Sequence, residues 1–151
     1  MKTFLKYWLP AILWMALIFA GSSDVLSNAN TSRFIVPFLH WLYPPISNEA
    51  VNVISMGIRK CGHVSEYLIL AMLLWRALLQ GANWRVRLSI LFVATLLGCA
   101  AFAVGDEFHQ SFVPSRTPSV MDVLIDVCGA LVGVAICVAV TSRKGLKQKR
   151  V

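Results

Sequence analysis

Four apolar segments, each close to 20 residues long, constrain this chain more than anything else in it. They cover about residues 4–26 (most strongly up to residue 20), 61–79, 88–105 and 120–141. A helix needs roughly 20 residues to cross about 30 Å of hydrocarbon. In lipid every backbone N–H and C=O must be satisfied within the protein, which leaves helices or a closed barrel. A barrel would show short segments of alternating polarity, and this chain has none. The expectation is therefore all-α: a four-transmembrane-helix bundle forming one domain over residues 1–151, with 142–151 as a basic tail. Composition agrees, at 58% hydrophobic and 14% charged residues, against roughly 45–50% and about 25% in soluble domains.

The formal charge of +7 would point to nucleic acid in a soluble protein. No stacking platform or soluble module accompanies it, and nucleic acid is not expected as a partner. Membrane proteins instead collect Lys and Arg on their cytoplasmic side. With both termini inside, Lys2, Lys6, Arg76, Arg85, Arg87, Arg143, Lys144, Lys147, Lys149 and Arg150 are cytoplasmic. Arg33, Arg59, Lys60 and Arg116 remain outside. The tail "SRKGLKQKR" then meets anionic lipid. The first segment also has features of a signal peptide, with Lys2, Lys6 and a small-residue "AGSS". A retained helix is expected, since it keeps both termini on one side. Cys61, Cys99, Cys128 and Cys137 form no CxxC pair and read as buried small hydrophobes.

All seven acids, Asp24, Glu49, Glu66, Asp106, Glu107, Asp122 and Asp126, fall in outer loops or outer helix halves under this topology. The first outer loop, about residues 21–59, is not plain linker. "FIVPFLHWLYPP" is too short to span and predicts a helix lying in the interface, with Trp41 and Tyr43 at headgroup level. "NEAVNVISMGIRK" has helical spacing and a cap at Ser47 or Asn48. Two short interfacial helices are thus expected before the second span.

Candidate chemistry gathers at the outer helix ends. In "RKCGHVSEYLIL", Lys60, His63, Glu66 and Tyr67 share one helix face. Helix four opens with Asp122 and Asp126, followed by Gly129 and Gly133, a GxxxG that permits close helix approach. "DEFHQSFVPSR" ends helix three. Ionisable groups at membrane depth are costly and turn to the bundle interior or to water, so these faces should converge. For Asp126 a structural ion pair is the plain alternative to a site, and for Lys60 and Arg116 it is snorkelling to the headgroups. The spacings His63-xx-Glu66 and Asp106-xx-His109 resemble those of bundle di-metal sites. Too few carboxylates accompany them, and Lys60 and Arg116 would oppose a cation, so no metal and no other cofactor is expected.

These motifs resemble the VanZ-like family of small membrane proteins, whose pattern is similar to K-x-x-H-x-x-x-Y, D-E-x-x-Q-x-F-x-P-x-R and D-x-x-x-N/D-x-x-G-x-x-x-G. The resemblance covers nearly the whole chain. It implies family positions at Ser22, Ser23, Lys60, His63, Tyr67, Asp106, Glu107, Gln110, Phe112, Pro114, Arg116, Asp122, Asp126, Gly129 and Gly133. Ser115 departs from a frequent Gly and Asp126 from a frequent Asn. The founding member is associated with low-level resistance to teicoplanin, a lipid-tailed glycopeptide, but the resemblance names no reaction.

The expected function is an outward-facing site that binds or modifies an anionic amphiphile. Its partners would be membrane lipids and a lipid-linked or lipidated envelope substrate. Lys60 and Arg116 would hold the anionic head. His63 would act as acid or base, oriented by Glu66 or Asp106, with Asp106 and Glu107 as further proton carriers. Tyr67, Gln110, Asp122, Asp126, Ser22 and Ser23 complete the candidate binding residues. The competing expectation is a non-enzymatic protein whose ion pairs are structural and which modulates the envelope or a partner.

Overall fold

The computed structural model describes residues 2–23, 28–81 and 87–148. Five helices follow one another: α1 Lys2–Gly21, α2 Asn28–Leu42, α3 Asn48–Gly81, α4 Leu88–Gln110 and α5 Val120–Gln148. No strand occurs among the described residues. Four helices, α1, α3, α4 and α5, are long and apolar enough to cross a membrane. They fit a multi-pass membrane protein.

Local chemistry sets the boundaries. The α2 helix closes with the Tyr43 N–H on the Leu39 carbonyl at 2.9 Å, and Pro44 and Pro45 prevent continuation. Ser47 caps α3, its hydroxyl accepting the Ala50 N–H at 3.2 Å. Ser119 caps α5 in the same way, accepting from the Met121 N–H at 3.2 Å. Pro114 stands in the turn that follows α4.

The second of the two short loop helices is not separate. Its residues are the first third of α3, which runs unbroken for 34 residues. No proline interrupts the segment, and its glycines at 57 and 62 are tolerated. At about 1.5 Å per residue α3 is roughly 50 Å long, some 20 Å more than the hydrocarbon needs. Helix α4 also outruns the expected end at residue 105 and carries "DEFHQ" in its last turns. Helix α5 passes the expected end at 141. The proposed reach of the first helix to residue 26 falls outside the described residues, as does Asp24.

Contacts along the helices fix their directions. The Trp14 Nε1–H donates to the Glu66 carbonyl at 2.9 Å, and Arg76 lies 5.2 Å from the Tyr7 ring centre, so α1 and α3 are antiparallel. Tyr67 and Leu74 of α3 meet Phe102 and Gly98 of α4 respectively, so α3 and α4 are antiparallel and α1 and α4 run the same way. Gly129 and Gly133 of α5 face Val64 and Leu68 of α3, so these two are parallel. Helix α3 is central and packs on α1, α2, α4 and α5.

The core is thin: Ile18, Tyr67, Leu70, Ala71, Trp75 and Val134 anchor it, with alanines between. Many larger apolar side chains face outward on all four spans, for example Leu13 at 60% and Leu97 at 64% exposure. Such a surface suits lipid and would be a liability in water. Two cysteine expectations change here. Cys99 is buried and Cys137 half-buried, but Cys61 and Cys128 are exposed. An apolar run shows that a residue lies in a span, not which face of the helix it occupies.

Candidate functional site

Polar side chains collect at one end of the bundle, where α1 and α4 finish, α5 begins and the upper third of α3 passes. Helical periodicity sorts the end of α4. Asp106, Glu107 and Gln110 are buried, whereas Phe108 between them is 67% exposed. Asp106 is held by two donors. The Ser22 hydroxyl donates to its Oδ2 at 2.5 Å, and Gln110 Nε2 donates to the same oxygen at 3.2 Å. Glu107 turns the other way and accepts the Ser119 N–H on Oε2 at 2.8 Å, tying the end of α4 to the start of α5. His109 packs on Phe19 rather than joining this group.

Helices α3 and α5 contribute two rungs. Lys60 Nζ donates to Asp122 Oδ1 at 3.2 Å. One turn deeper, His63 Nδ1 lies 3.1 Å from Asp126 Oδ1, with Asp126 wholly buried. With Asp126 ionised the carboxylate can only accept, so Nδ1 carries the proton and donates, which leaves Nε2 as the nitrogen available to a ligand. Neither Glu66 nor Asp106 orients His63, contrary to expectation; Asp126 does. The parallel run of α3 and α5 brings positions 60 and 122 into register, and 63 and 126 follow.

Arg116, on the loop before α5, donates to backbone carbonyls. Its terminal nitrogen donates to the Gly21 carbonyl at 2.6 Å and the Ser23 carbonyl at 3.1 Å, and Nε donates to Ser23 at 3.2 Å. It thereby closes the C-terminal end of α1, where carbonyls lack helical partners. Ser23 also turns its own hydroxyl onto the Ala20 carbonyl at 2.5 Å. Tyr67 is fully buried beside Phe102, and its hydroxyl has no partner among the described residues. One oxygen each of Asp106, Glu107 and Asp126 is in the same condition.

Two clefts open on this end. The narrower, about 170 Å³, lies under α2 and is lined by Thr31 and Ile35 of that helix, by Ile58, Glu66 and Gln110, and by Ser22. The wider, about 390 Å³, lies between α3 and the loop before α5, with Lys60, Asp122 and the hydroxyl residues Ser115, Thr117 and Ser119 on its walls. Arg59, His63 and Arg116 line both. The expected single convergence is thus a two-layer arrangement. Lys60, His63, Gln110, Arg116, Asp122 and Ser22 reach the clefts, while Tyr67, Asp106, Glu107 and Asp126 lie behind them. Arg59 was not among the expected site residues. Its signal was present, since it stands four residues before His63 and so on the same helix face.

A Cβ on Gly129 would stand 2.9 Å from Val64 Cα, and one on Gly133 would stand 2.5 Å from the Leu68 carbonyl oxygen. Only glycine lets α5 approach α3 closely enough for both rungs to form. No curated protein and no solved structure matched the sequence. The family model described as VanZ/LLP1 matches residues 7–141 and so spans α1 through most of α5, including every residue of the two rungs and the Arg116 clamp: the chain belongs to that family.

Proposed function

We propose that this is an integral membrane protein whose two-cleft site faces outward and binds the anionic head of an envelope amphiphile. The observation that carries the reading is the meeting of both clefts at His63, whose Nδ1 is held by the buried Asp126. Buried ionisable groups in a membrane protein are expensive and ordinarily functional. His63 offers Nε2 to a bound head and is the group placed to exchange a proton with it. The outward orientation rests on the Lys and Arg distribution in the sequence, ten of the fourteen falling in the segments expected on the inner side. The outward stripe of α2, Phe34, Phe38 and Trp41, all more than half exposed, suits headgroup depth and would bring the narrow cleft level with the leaflet. Family membership adds lipidated glycopeptides of the teicoplanin type to the amphiphiles to be considered.

The test is made in cells. His63→Gln is expected to abolish any protection against a lipoglycopeptide while leaving the amount of folded protein unchanged. A cysteine placed at Ser115 should react with a membrane-impermeant reagent in intact cells. Labelling only after permeabilisation overturns the orientation, and full protection by His63→Gln overturns the role of the site.

One observation favours a second, structural reading at a single residue. The bonds from Arg116 to the α1 carbonyls are those of a clamp. If all site variants lose protection only in proportion to lost folded protein, the whole network is such a clamp.

A further inference from the structure

We infer that the wider cleft is a subsite for a phosphate group carried on an amphiphile, and that Arg59 is the residue that recognises it. The inference deepens the reading above and rests on it.

The cations around the cleft are unequally committed. Lys60 is paired with Asp122 at 3.2 Å. Arg116 is bonded to backbone carbonyls of Gly21 and Ser23. Arg59 is half-exposed and lines both clefts, and its guanidinium has no hydrogen bond or ion pair among the described residues. Its side chain can move to a ligand without breaking a hydrogen bond or ion pair to the described residues. On the wider cleft Asp122 balances Lys60, which leaves Arg59 as a positive charge with no ion pair among the described residues. That balance selects an anion.

The remaining donors say which anion. Across from Arg59 the loop supplies the hydroxyls of Ser115, Thr117 and Ser119. The Ser119 oxygen already accepts from the Met121 N–H, so its own proton is left to donate. Lys60 has three N–H donors and uses one on Asp122. Donors therefore approach from two opposed walls. A carboxylate has two coplanar oxygens and fills a single fork. A phosphate spreads its acceptors over a tetrahedron and can engage both walls, with the Arg59 fork on one edge. At about 390 Å³ the cleft is of the size of small-molecule sites, roughly 300–1,000 Å³, and takes more than a bare ion.

The neighbouring cleft accounts for the tail. It shares the Arg59 wall, and Ile35 and Ile58 give it apolar surface. A head in the wider cleft can thus continue into apolar surroundings by passing Arg59. Phosphate on a lipid chain and free phosphate share the same head chemistry, so both belong in the test.

The experiment uses the full chain purified in detergent, with binding of farnesyl phosphate, farnesoic acid, farnesol and inorganic phosphate measured by calorimetry on wild type and Arg59→Gln. Farnesyl phosphate is expected to bind wild type best. Losing a charged hydrogen bond costs about 1.5–3 kcal/mol, so Arg59→Gln should weaken it roughly ten- to hundredfold. Melting of the unliganded variant should match wild type, because Arg59 has no hydrogen bond or ion pair among the described residues. Equal farnesyl phosphate affinity in Arg59→Gln overturns the inference and leaves the site reading standing. Farnesoic acid binding as tightly as the phosphate overturns the choice of phosphate. Inorganic phosphate binding as tightly as farnesyl phosphate overturns the amphiphile. If farnesol binds wild type as well as both anions do, the site reading falls and the inference falls with it.

Discussion

Replacing Gly129 with alanine should uncouple the site without touching a polar atom. The new Cβ would lie 2.9 Å from Val64 Cα and 3.0 Å from Val64 C, and nearer still to the Val64 carbonyl oxygen, where ordinary contact begins at 3.4 Å. All three are backbone atoms of α3, so no rotamer change relieves the overlap. The helices must part by about 0.5 Å or more. Val64 follows His63, and Gly129 lies one turn below Asp126, so the separation falls directly on that rung. A 3.1 Å contact then stretches to about 3.6 Å, where a hydrogen bond is lost. Overpacking costs about 1–3 kcal/mol. Leaving both Asp126 oxygens unpartnered costs about 1–3 kcal/mol more. Alanine's better helix propensity returns about 1 kcal/mol, so the net loss is about 1–5 kcal/mol. Melting in detergent should show it, and the Nδ1 proton signal of a ¹⁵N-histidine-labelled sample should shift. Gly105→Ala is the control, since a Cβ there meets nothing within 4 Å. If Gly129→Ala melts like Gly105→Ala with the histidine signal unmoved, the α3–α5 spacing is not what holds the rung.

Two further substitutions separate scaffold from site. Arg116→Lys keeps the charge but cannot reach both carbonyls with a planar fork; in this half-buried position a melting loss of about 1–3 kcal/mol is expected. Full stability with lost ligand binding would make Arg116 a ligand-holding residue instead of a clamp. Tyr67→Phe removes a buried hydroxyl that has no partner among the described residues, so stability should hold or rise slightly. A clear drop in melting would show that the hydroxyl is bonded after all.

What was legible in the sequence follows from the range of each interaction. Span length and apolarity are local, and the four crossing helices were readable from them. The inward set Asp106, Glu107 and Gln110 was readable too, because Gln110 follows Asp106 by four positions and Glu107 by three, the spacings of neighbours on a helix surface. The partner of His63 was not. Glu66 lies one turn away in sequence, whereas Asp126 is 63 residues distant, and only the α3–α5 register selects between them. That register is itself set by Gly129 and Gly133, so the sequence held the cause without displaying its consequence. The bonds of Arg116 to the end of α1 were hidden for a different reason: nothing local shows that the Gly21 and Ser23 carbonyls will take its donors. Arg59 and Lys60 look alike as interfacial charges, and Asp122, pairing with only one of them, tells them apart.

The distribution of unpartnered atoms argues against a network built for stability alone. Asp106, Glu107 and Asp126 each spend one oxygen on a bond and leave the other buried without a partner among the described residues. An unmet buried acceptor costs about 1–3 kcal/mol, more when charged. Selection for stability would have replaced such groups by apolar side chains of similar size, a change that is often neutral or favourable. Two of the three connect outward through the residues they bond: Asp126 through His63 to both clefts, and Asp106 through Ser22 and Gln110 to the narrower one. The third holds the N–H of Ser119, whose side chain lines the wider cleft. Each costly carboxylate therefore stands directly behind a cleft residue. In that position it fixes the orientation of the group that meets the ligand, a role that an apolar replacement could not fill. Replacing the whole rung, His63→Leu together with Asp126→Leu, separates the two accounts. The double variant should preserve or raise the melting temperature while abolishing function. A double variant that loses melting and retains function would mean that the rung is only a clamp.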